Sequence, residues 1–187
     1  MQLTPILPCG HLYAVENVFP KEIADRVADY NWASADYTKL TIGKQRRRLL
    51  KYNANRDEIL YQWIRQHLIP TIEQACSVKF LDGTQYSFTW WVDEPGFKPD
   101  IHTDGDKPSA MQLYWLPTDR NDLGTAFYST NDTKDVIHYF ANRPNSGYLM
   151  FNTHKPRPML WHDMQIEVPE GCLRLCLYLS FGPYQVL

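Results

Sequence analysis

The amino-acid sequence predicts a mainly β protein with flanking helices (α+β), arranged as a sandwich or jelly-roll barrel. Helical periodicity is confined to the first half, whereas short aromatic or β-branched runs fill the second. Aromatic residues, which are enriched in strands, make up 14% of the 187 residues. At roughly 150 residues per domain, we expect a single domain over residues 1–187, with a helical and strand support region (1–83) and a β core (84–187).

Two segments of the support region carry apolar residues at helical spacing. They are residues 19–31, with Ile23, Val27 and Tyr30, and residues 56–68, with Ile59, Leu60, Trp63, Ile64 and Leu68. Pro70 is expected to kink the second helix or to start a new one that runs through Cys76, because proline cannot donate the helical hydrogen bond.

Seven short runs of the β core, separated by turn-rich segments, are predicted strands. They are Gln85–Val92, Ala110–Leu116, Thr125–Ser129, Val136–Phe140, Gly147–Asn152, Gln165–Val168 and Leu173–Phe181. In the last strand every second residue from Leu173 to Leu179 is leucine. That face is expected to pack under the N-terminal helices, and the opposite face, which carries Arg174, is expected to meet water or a polar barrel interior.

Charge and composition exclude several classes of protein. A formal net charge of −2 argues against a dedicated nucleic-acid binder, and no apolar stretch is long enough to span a membrane. Residues 1–19 lack a basic region followed by an apolar one, so no signal peptide is expected. Cys172 and Cys176 are expected four residues apart on one strand, beyond disulfide reach, so these thiols and those of Cys9 and Cys76 are expected to be reduced in a cytoplasmic protein.

A candidate metal site begins at His102-Thr103-Asp104, because residues two apart in an extended segment project to the same face. A third ligand should come from a distant strand, and His162 is the best candidate, with Arg174 twelve residues further on. Two histidines and one carboxylate leave positions open and favour Fe(II). An arginine in the same cavity is suited to hold a carboxylate through two parallel hydrogen bonds.

Other residues remain as rivals. His154 is an alternative third ligand, although it lies in a proline-broken loop. His11, His67 and His138 are expected to be structural. Asp163 is left out of the site, because neighbouring side chains on a strand diverge.

Two further features are open to a structural or a functional interpretation. The basic run Lys44–Arg48 is expected to be a solvated face, with contact to an acidic protein or nucleic-acid substrate at the barrel mouth as the alternative. Of the adjacent Trp90 and Trp91, one is expected in the core, and the other under a helix or in the substrate cleft.

With His102, Asp104, His162 and Arg174 in this order, the sequence resembles the iron(II)- and 2-oxoglutarate-dependent oxygenases. The wider match covers about residues 85–181 and includes Pro95-Gly96, Met111-Gln112-Leu113-Tyr114, Leu123-Gly124-Thr125-Ala126-Phe127 and Asn145-Ser146-Gly147-Tyr148. Residues 12–32 resemble the opening strand and helix of prolyl-hydroxylase-like members. The spacing from His162 to Arg174 is longer than usual for that branch. The run from Arg174 to Ser180 lacks the Arg-x-Asn-x-Thr-x-Arg pattern of the nucleic-acid demethylases.

The resemblance implies a double-stranded β-helix with iron at one mouth and the N-terminal helices packed on one sheet. It implies that 2-oxoglutarate chelates the iron and places its far carboxylate on Arg174. Gln112 and Tyr114 share one face of their strand, where an amide or a hydroxyl is expected to support 2-oxoglutarate. A one-residue register error would exchange the roles of this pair with that of Trp115. Oxygen and an unidentified primary substrate, a small molecule or a protein side chain, are the remaining partners, with succinate and CO2 released.

Two rival functions share the predicted barrel. One is a cupin-like protein that binds a metabolite or sugar without turnover. The other is a zinc hydrolase, which is disfavoured because no glutamate or second histidine lies nearby in sequence as a general base. Substrate specificity is expected to reside in the loops Lys39–Lys51, Asp93–Pro99 and Gly105–Ser109.

Overall fold

The structure is a computed structural model that describes residues 1–7, 10–30, 32, 37–42, 45–50, 54–81, 86–105, 107–152 and 160–187. Its thirteen strands in these ranges are β1 (Gln2–Pro5), β2 (Leu12–Glu16), β3 (Tyr37–Ile42), β4 (Gln45–Leu50), β5 (Val78–Phe80), β6 (Tyr86–Asp93), β7 (Ser109–Leu116), β8 (Thr125–Tyr128), β9 (Val136–Phe140), β10 (Ser146–Phe151), β11 (Trp161–Asp163), β12 (Arg174–Phe181) and β13 (Tyr184–Val186). The α-helices are α1 (Lys21–Ala28), α2 (Ala54–Trp63) and α3 (Ile69–Cys76), with a π-helical turn at Ile64–Leu68. The prediction of a mainly β protein is confirmed.

Two antiparallel sheets face each other across a shared interior. The large sheet has eight strands in the order β1-β2-β10-β7-β12-β6-β4-β3, and the small sheet has three in the order β11-β8-β9. A third pair joins β13 to β5. Tyr114 and Tyr148 of the large sheet share one buried cluster with Phe127 and Phe140 of the small sheet, so the two inner faces form a common interior.

The outer face of the large sheet is apolar. Leu175, Leu177 and Leu179 of β12 belong to the largest buried cluster. The same cluster includes four residues from α2, the π-helical turn and α3, namely Leu60, Ile64, Leu68 and Ile72. The Trp115 indole donates to the Ala24 carbonyl of α1 at 3.4 Å. Each fully buried leucine contributes about 1.5–3 kcal/mol through removal from water, so this face supports the sheet whose other face carries the site.

The structure differs from the sequence-based expectations at several points. Residues 165–168 are not a strand, and the chain instead pairs with β8 through β11, at Trp161–Asp163. Cys172 precedes β12 rather than lying on it. At Pro70 a new helix does start, since α3 has this proline in its first turn.

The basic run is part of the large sheet. It lies largely on β4, one strand of a hairpin with β3 that extends the large sheet beyond β6. The predictions for Cys9, Lys44 and His154 fall outside the described residues. In the part of the chain that is described, no helix is long and apolar enough to cross a membrane.

Candidate functional site

His102 and His162 are held side by side by their backbones. The two residues form an isolated antiparallel bridge, in which His102 N donates to His162 O at 3.0 Å and His162 N donates to His102 O at 2.8 Å. Their ring centroids are 4.4 Å apart. Residues sixty positions apart are therefore joined by main-chain hydrogen bonds, which fix the relative position of the two imidazoles.

Asp104 completes a cluster with the two imidazoles. Its carboxylate oxygens lie 3.8 Å from His102 Nε2 and 3.9 Å from His162 Nε2, and one candidate ligand atom from each residue lies within 4.8 Å of the others. The Nδ1 atoms of His102 and His162 are 2.7 and 3.1 Å from backbone carbonyls, those of Asp100 and Leu160. These acceptors select the Nδ1-protonated tautomer, so each Nε2 presents a lone pair toward the carboxylate.

Neighbouring groups fix Asp104. The Tyr178 hydroxyl donates to Asp104 Oδ2 at 3.0 Å, and Asn152 Nδ2 donates to the Asp104 carbonyl at 3.0 Å. The Tyr178 ring is stacked on Trp91, with centroids 4.2 Å apart and planes 12° apart. Because Tyr178 and Trp91 lie on adjacent strands β12 and β6, the large sheet sets the orientation of the carboxylate.

Burial keeps His162 neutral. Only 4% of the residue is exposed, and the Phe127 ring is stacked against its imidazole at 5.0 Å. Burial, followed by the proximity of His102, lowers the pKa of His162 to about 4. A neutral imidazole with a free Nε2 is the form that binds a metal ion.

A cavity of about 440 Å³ opens beside this cluster. Its walls come from both sheets and from the segment that leads to His102. The residues that line it are Arg47, Leu49, Trp91, Pro99, Asp100, His102, Asp104, Gln112, Thr125, Tyr148, His162, Asp163, Met164 and Arg174. A volume of this size accommodates a small organic molecule.

Arg174 lines the cavity and has buried hydrogen-bond donors without partners among the described residues. The residue is only 1% exposed, and its Nη1 donates to Asp93 Oδ2 at 2.7 Å. Among the described residues, its Nε and Nη2 have no hydrogen-bond partner. Buried unpaired donors are rare and costly in proteins, so this guanidinium is a candidate site for an anionic ligand.

Gln112 and Tyr114 lie on the inner face of β7, and Trp115 lies on the outer face with the helices. Gln112 lines the cavity, and its Oε1 accepts a hydrogen bond from the Tyr148 hydroxyl at 3.3 Å. The Tyr114 ring lies beneath the Arg174 guanidinium, 5.2 Å from its central carbon. Tyr114 is fully buried and does not reach the cavity wall itself.

The remaining histidines of the described chain lie away from this cluster. His138 is on β9 against Phe140, at 4.5 Å between ring centroids, and burial lowers its pKa. His67 lies against Trp63 in the π-helical turn, and His11 is buried beside β2.

The sequence-based prediction missed two residues that line the cavity, Arg47 and Asp163. Arg47 lines the cavity and pairs with Asp93, and Arg48 pairs with Glu94 at 3.0 Å. The expectation of a solvated face is therefore wrong for these two arginines, whose side chains are 18% and 15% exposed, whereas Arg46 is exposed. Asp163, which the sequence analysis left out of the site, also lines the cavity, and its Oδ1 accepts a hydrogen bond from the Tyr128 hydroxyl at 2.7 Å. Strand alternation predicts that Asp93 and Trp91 share a face, but nothing local indicates which arginines lie opposite them.

Comparison with solved structures identifies the fold. The chain is similar to a prolyl-4-hydroxylase from Pseudomonas putida (TM-score 0.60, 15% identity, 92% of this chain and 94% of that chain). It is also similar to an oxidoreductase of the 2-oxoglutarate-Fe(II) oxygenase family from Burkholderia pseudomallei (TM-score 0.65, 10% identity, 92% and 85%). A third similar structure is HygX from Streptomyces hygroscopicus with nickel and 2-oxoglutarate bound (TM-score 0.60, 10% identity, 92% and 83%).

These similarities show that the chain has the fold of 2-oxoglutarate-dependent oxygenases, including that of a prolyl-4-hydroxylase. The resemblance stated from the sequence is thus confirmed at the level of the fold. No protein-family model matches the sequence, and neither does any curated protein.

Proposed function

We propose that the chain is an Fe(II)- and 2-oxoglutarate-dependent oxygenase of a single domain with a double-stranded β-helix core. The reaction consumes 2-oxoglutarate, O2 and a substrate C–H bond, and it yields succinate, CO2 and the hydroxylated substrate. The bound iron would supply the activation of O2 that couples decarboxylation to hydroxylation. The primary substrate is a small molecule or a protein side chain.

One observation carries this proposal. The candidate ligand atoms of His102, Asp104 and His162 converge within 4.8 Å at a cavity that is also lined by Arg174, which has two buried donors without partners among the described residues. Two imidazoles and a carboxylate on one side of a metal leave its other positions open, and this donor set favours Fe(II). The protein therefore offers a cation site and an anion site in the same cavity, as a chelating dicarboxylate requires.

The residues of the chain have distinct roles in this proposal. His102, Asp104 and His162 bind the metal, and Tyr178 orients the Asp104 carboxylate. Arg174 binds the far carboxylate of 2-oxoglutarate through Nε and Nη2, since these donors form two parallel hydrogen bonds with a carboxylate. Gln112 lies on the cavity wall within reach of the cosubstrate, and Tyr114 supports the guanidinium from below.

Anaerobic titration tests the metal assignment. With Fe(II) and 2-oxoglutarate the wild-type protein should develop a weak visible charge-transfer band, and His162→Ala should abolish it. His67→Ala is the matched control, because His67 is exposed and lies in the π-helical turn. A band that persists in His162→Ala would show that the third ligand is misassigned.

Product analysis separates the oxygenase from its rivals. Succinate formation with a panel of candidate substrates supports the oxygenase, whereas bound iron without succinate favours a cupin-like binding protein. Metal analysis after native purification, followed by reconstitution with iron or zinc, separates the zinc hydrolase.

We also propose a cytoplasmic location, supported by the free thiols of Cys76, Cys172 and Cys176, since reduced cysteines are typical of that compartment.

A further inference from the structure

Three charged residues form a row across neighbouring strands of the large sheet. Asp93 of β6 lies directly opposite Arg47 of β4 on one side and Arg174 of β12 on the other. The carboxylate in the middle is fully buried, and the side chain of Arg47 is 18% exposed and that of Arg174 1%. The row therefore lies in a largely dry environment, where charge pairing has strong effects.

The hydrogen bonds within the row are divided unequally. Arg47 donates from Nε to Asp93 Oδ1 at 2.5 Å and from Nη2 to Oδ2 at 3.1 Å, whereas Arg174 donates only from Nη1, to Oδ2 at 2.7 Å. The Arg47 guanidinium also lies over the rings of Trp91 and Phe97, at 3.9 and 4.2 Å from their centroids. Arg47 thus takes the two-pronged contact with the carboxylate and is held there by aromatic rings.

This division decides which donors Arg174 has left. Its Nε and Nη2 lie on the same edge of the guanidinium, and that edge has no partner among the described residues. The row carries two positive charges and one negative charge, so it has a net charge of +1 and can be neutralised by one carboxylate. Without Arg47, the Asp93 carboxylate would have Arg174 as its only guanidinium partner in the row.

We propose that Arg47 is a positioning residue, which occupies the Asp93 carboxylate so that the Nε–Nη2 edge of Arg174 stays available for the cosubstrate. The inference rests on the proposed function and adds the assignment of Arg47 and Asp93 to the 2-oxoglutarate site. It states that the row binds one anion, and that Arg47 acts through Asp93 rather than on the ligand.

The test measures the affinity for 2-oxoglutarate in the anaerobic Fe(II) protein, from the dependence of the charge-transfer band on 2-oxoglutarate concentration. Arg47→Met should raise the Kd for 2-oxoglutarate roughly tenfold or more, because Asp93 then neutralises Arg174 and attracts its free edge. Arg47→Lys keeps the charge next to Asp93 and should change the Kd far less.

The decisive variant removes the competing carboxylate as well. In Arg47→Met combined with Asp93→Asn the row again has a net charge of +1, so the Kd should return toward the wild-type value. Arg48→Met is the matched control, since Arg48 is the next residue on β4, has its ion pair with Glu94 and should leave the Kd unchanged. Circular dichroism and the Tm establish that each variant is folded, and Arg47→Gln replaces Arg47→Met if the latter is not.

Two results would overturn the inference. An unchanged Kd in folded Arg47→Met would show that Arg47 does not act on the anion site. A double variant as weak as Arg47→Met would show that Arg47 contacts the ligand itself or acts only on the fold. Absence of 2-oxoglutarate binding by the wild-type protein would instead refute the proposed function, and with it the inference.

Discussion

The two faces of strand β12 differ in the polarity of their side chains. The outer face presents Leu175, Leu177 and Leu179 to the largest apolar cluster, and the inner face presents Arg174, Cys176 and Tyr178 to the common interior of the two sheets. Both faces are largely buried, yet only the inner one contains donors without partners. The comparison shows that the apolar packing of this strand is confined to its outer face, whereas its inner face carries the polar groups that we propose for ligand binding.

The largest expected effect is on the inner side. Asp104→Ala should abolish iron binding, because it removes the only carboxylate of the three-residue ligand cluster. Its Tm should stay close to that of the metal-free wild-type protein, since the residue lies outside the apolar clusters. Metal content after dialysis against Fe(II), measured with the Tm, checks both parts, and a variant that still retains one equivalent of iron contradicts the assignment.

The outer face should show the reverse behaviour. Leu177→Ala should lower the free energy of unfolding by about 2–5 kcal/mol, because a fully buried leucine leaves a cavity behind. Below the melting temperature the variant should still bind iron and 2-oxoglutarate. Chemical denaturation gives the stability change, and Val186→Ala, at an exposed position, is the control that should change it by less than about 0.5 kcal/mol. Loss of iron binding in the folded variant would break the proposed division between the two faces.

A smaller effect is expected from Tyr178→Phe. The substitution keeps the ring that stacks on Trp91 but removes the hydroxyl that donates to Asp104. Affinity for iron should fall by about tenfold or more, as is typical when a partner of a metal ligand is lost, while stability changes little. Competition with a chelator measures the affinity, and an unaltered value would show that the Asp104 carboxylate is oriented by other groups.

Cysteine reactivity gives the mildest probe of the inner face. Burial raises the pKa of Cys176 to about 12, although the nearby Arg174 opposes the shift. In the folded protein Cys176 should therefore resist alkylation at pH 8, whereas half-buried Cys172 should react more readily. Mass spectrometry of peptides after a short iodoacetamide pulse distinguishes the two, and equal labelling would contradict the buried inner face.

Local sequence patterns predicted a large part of this arrangement. Alternation along β12 separates the leucine face from the Arg174 face, and the spacing of His102 and Asp104 places both on one side of an extended segment. Each of these inferences depends only on the geometry of residues close together in the chain, which a strand imposes whatever lies opposite it.

Long-range pairing could not be read in the same way. The bridge that joins His102 to His162 depends on a three-residue strand, which is too short to produce a pattern. Arg47 belongs to a basic run that looks like a solvated surface, and its contact with Asp93 follows from the register of β4 against β6. Register is a property of two segments together, so neither segment alone contains it.

The most direct test of the account is a crystal structure of the protein prepared anaerobically with Fe(II) and 2-oxoglutarate. We expect one iron bound by Nε2 of His102, Nε2 of His162 and the Asp104 carboxylate. The far carboxylate of 2-oxoglutarate should lie on Nε and Nη2 of Arg174. An iron that is not bound by His162, or a cosubstrate carboxylate held away from Arg174, would contradict the account.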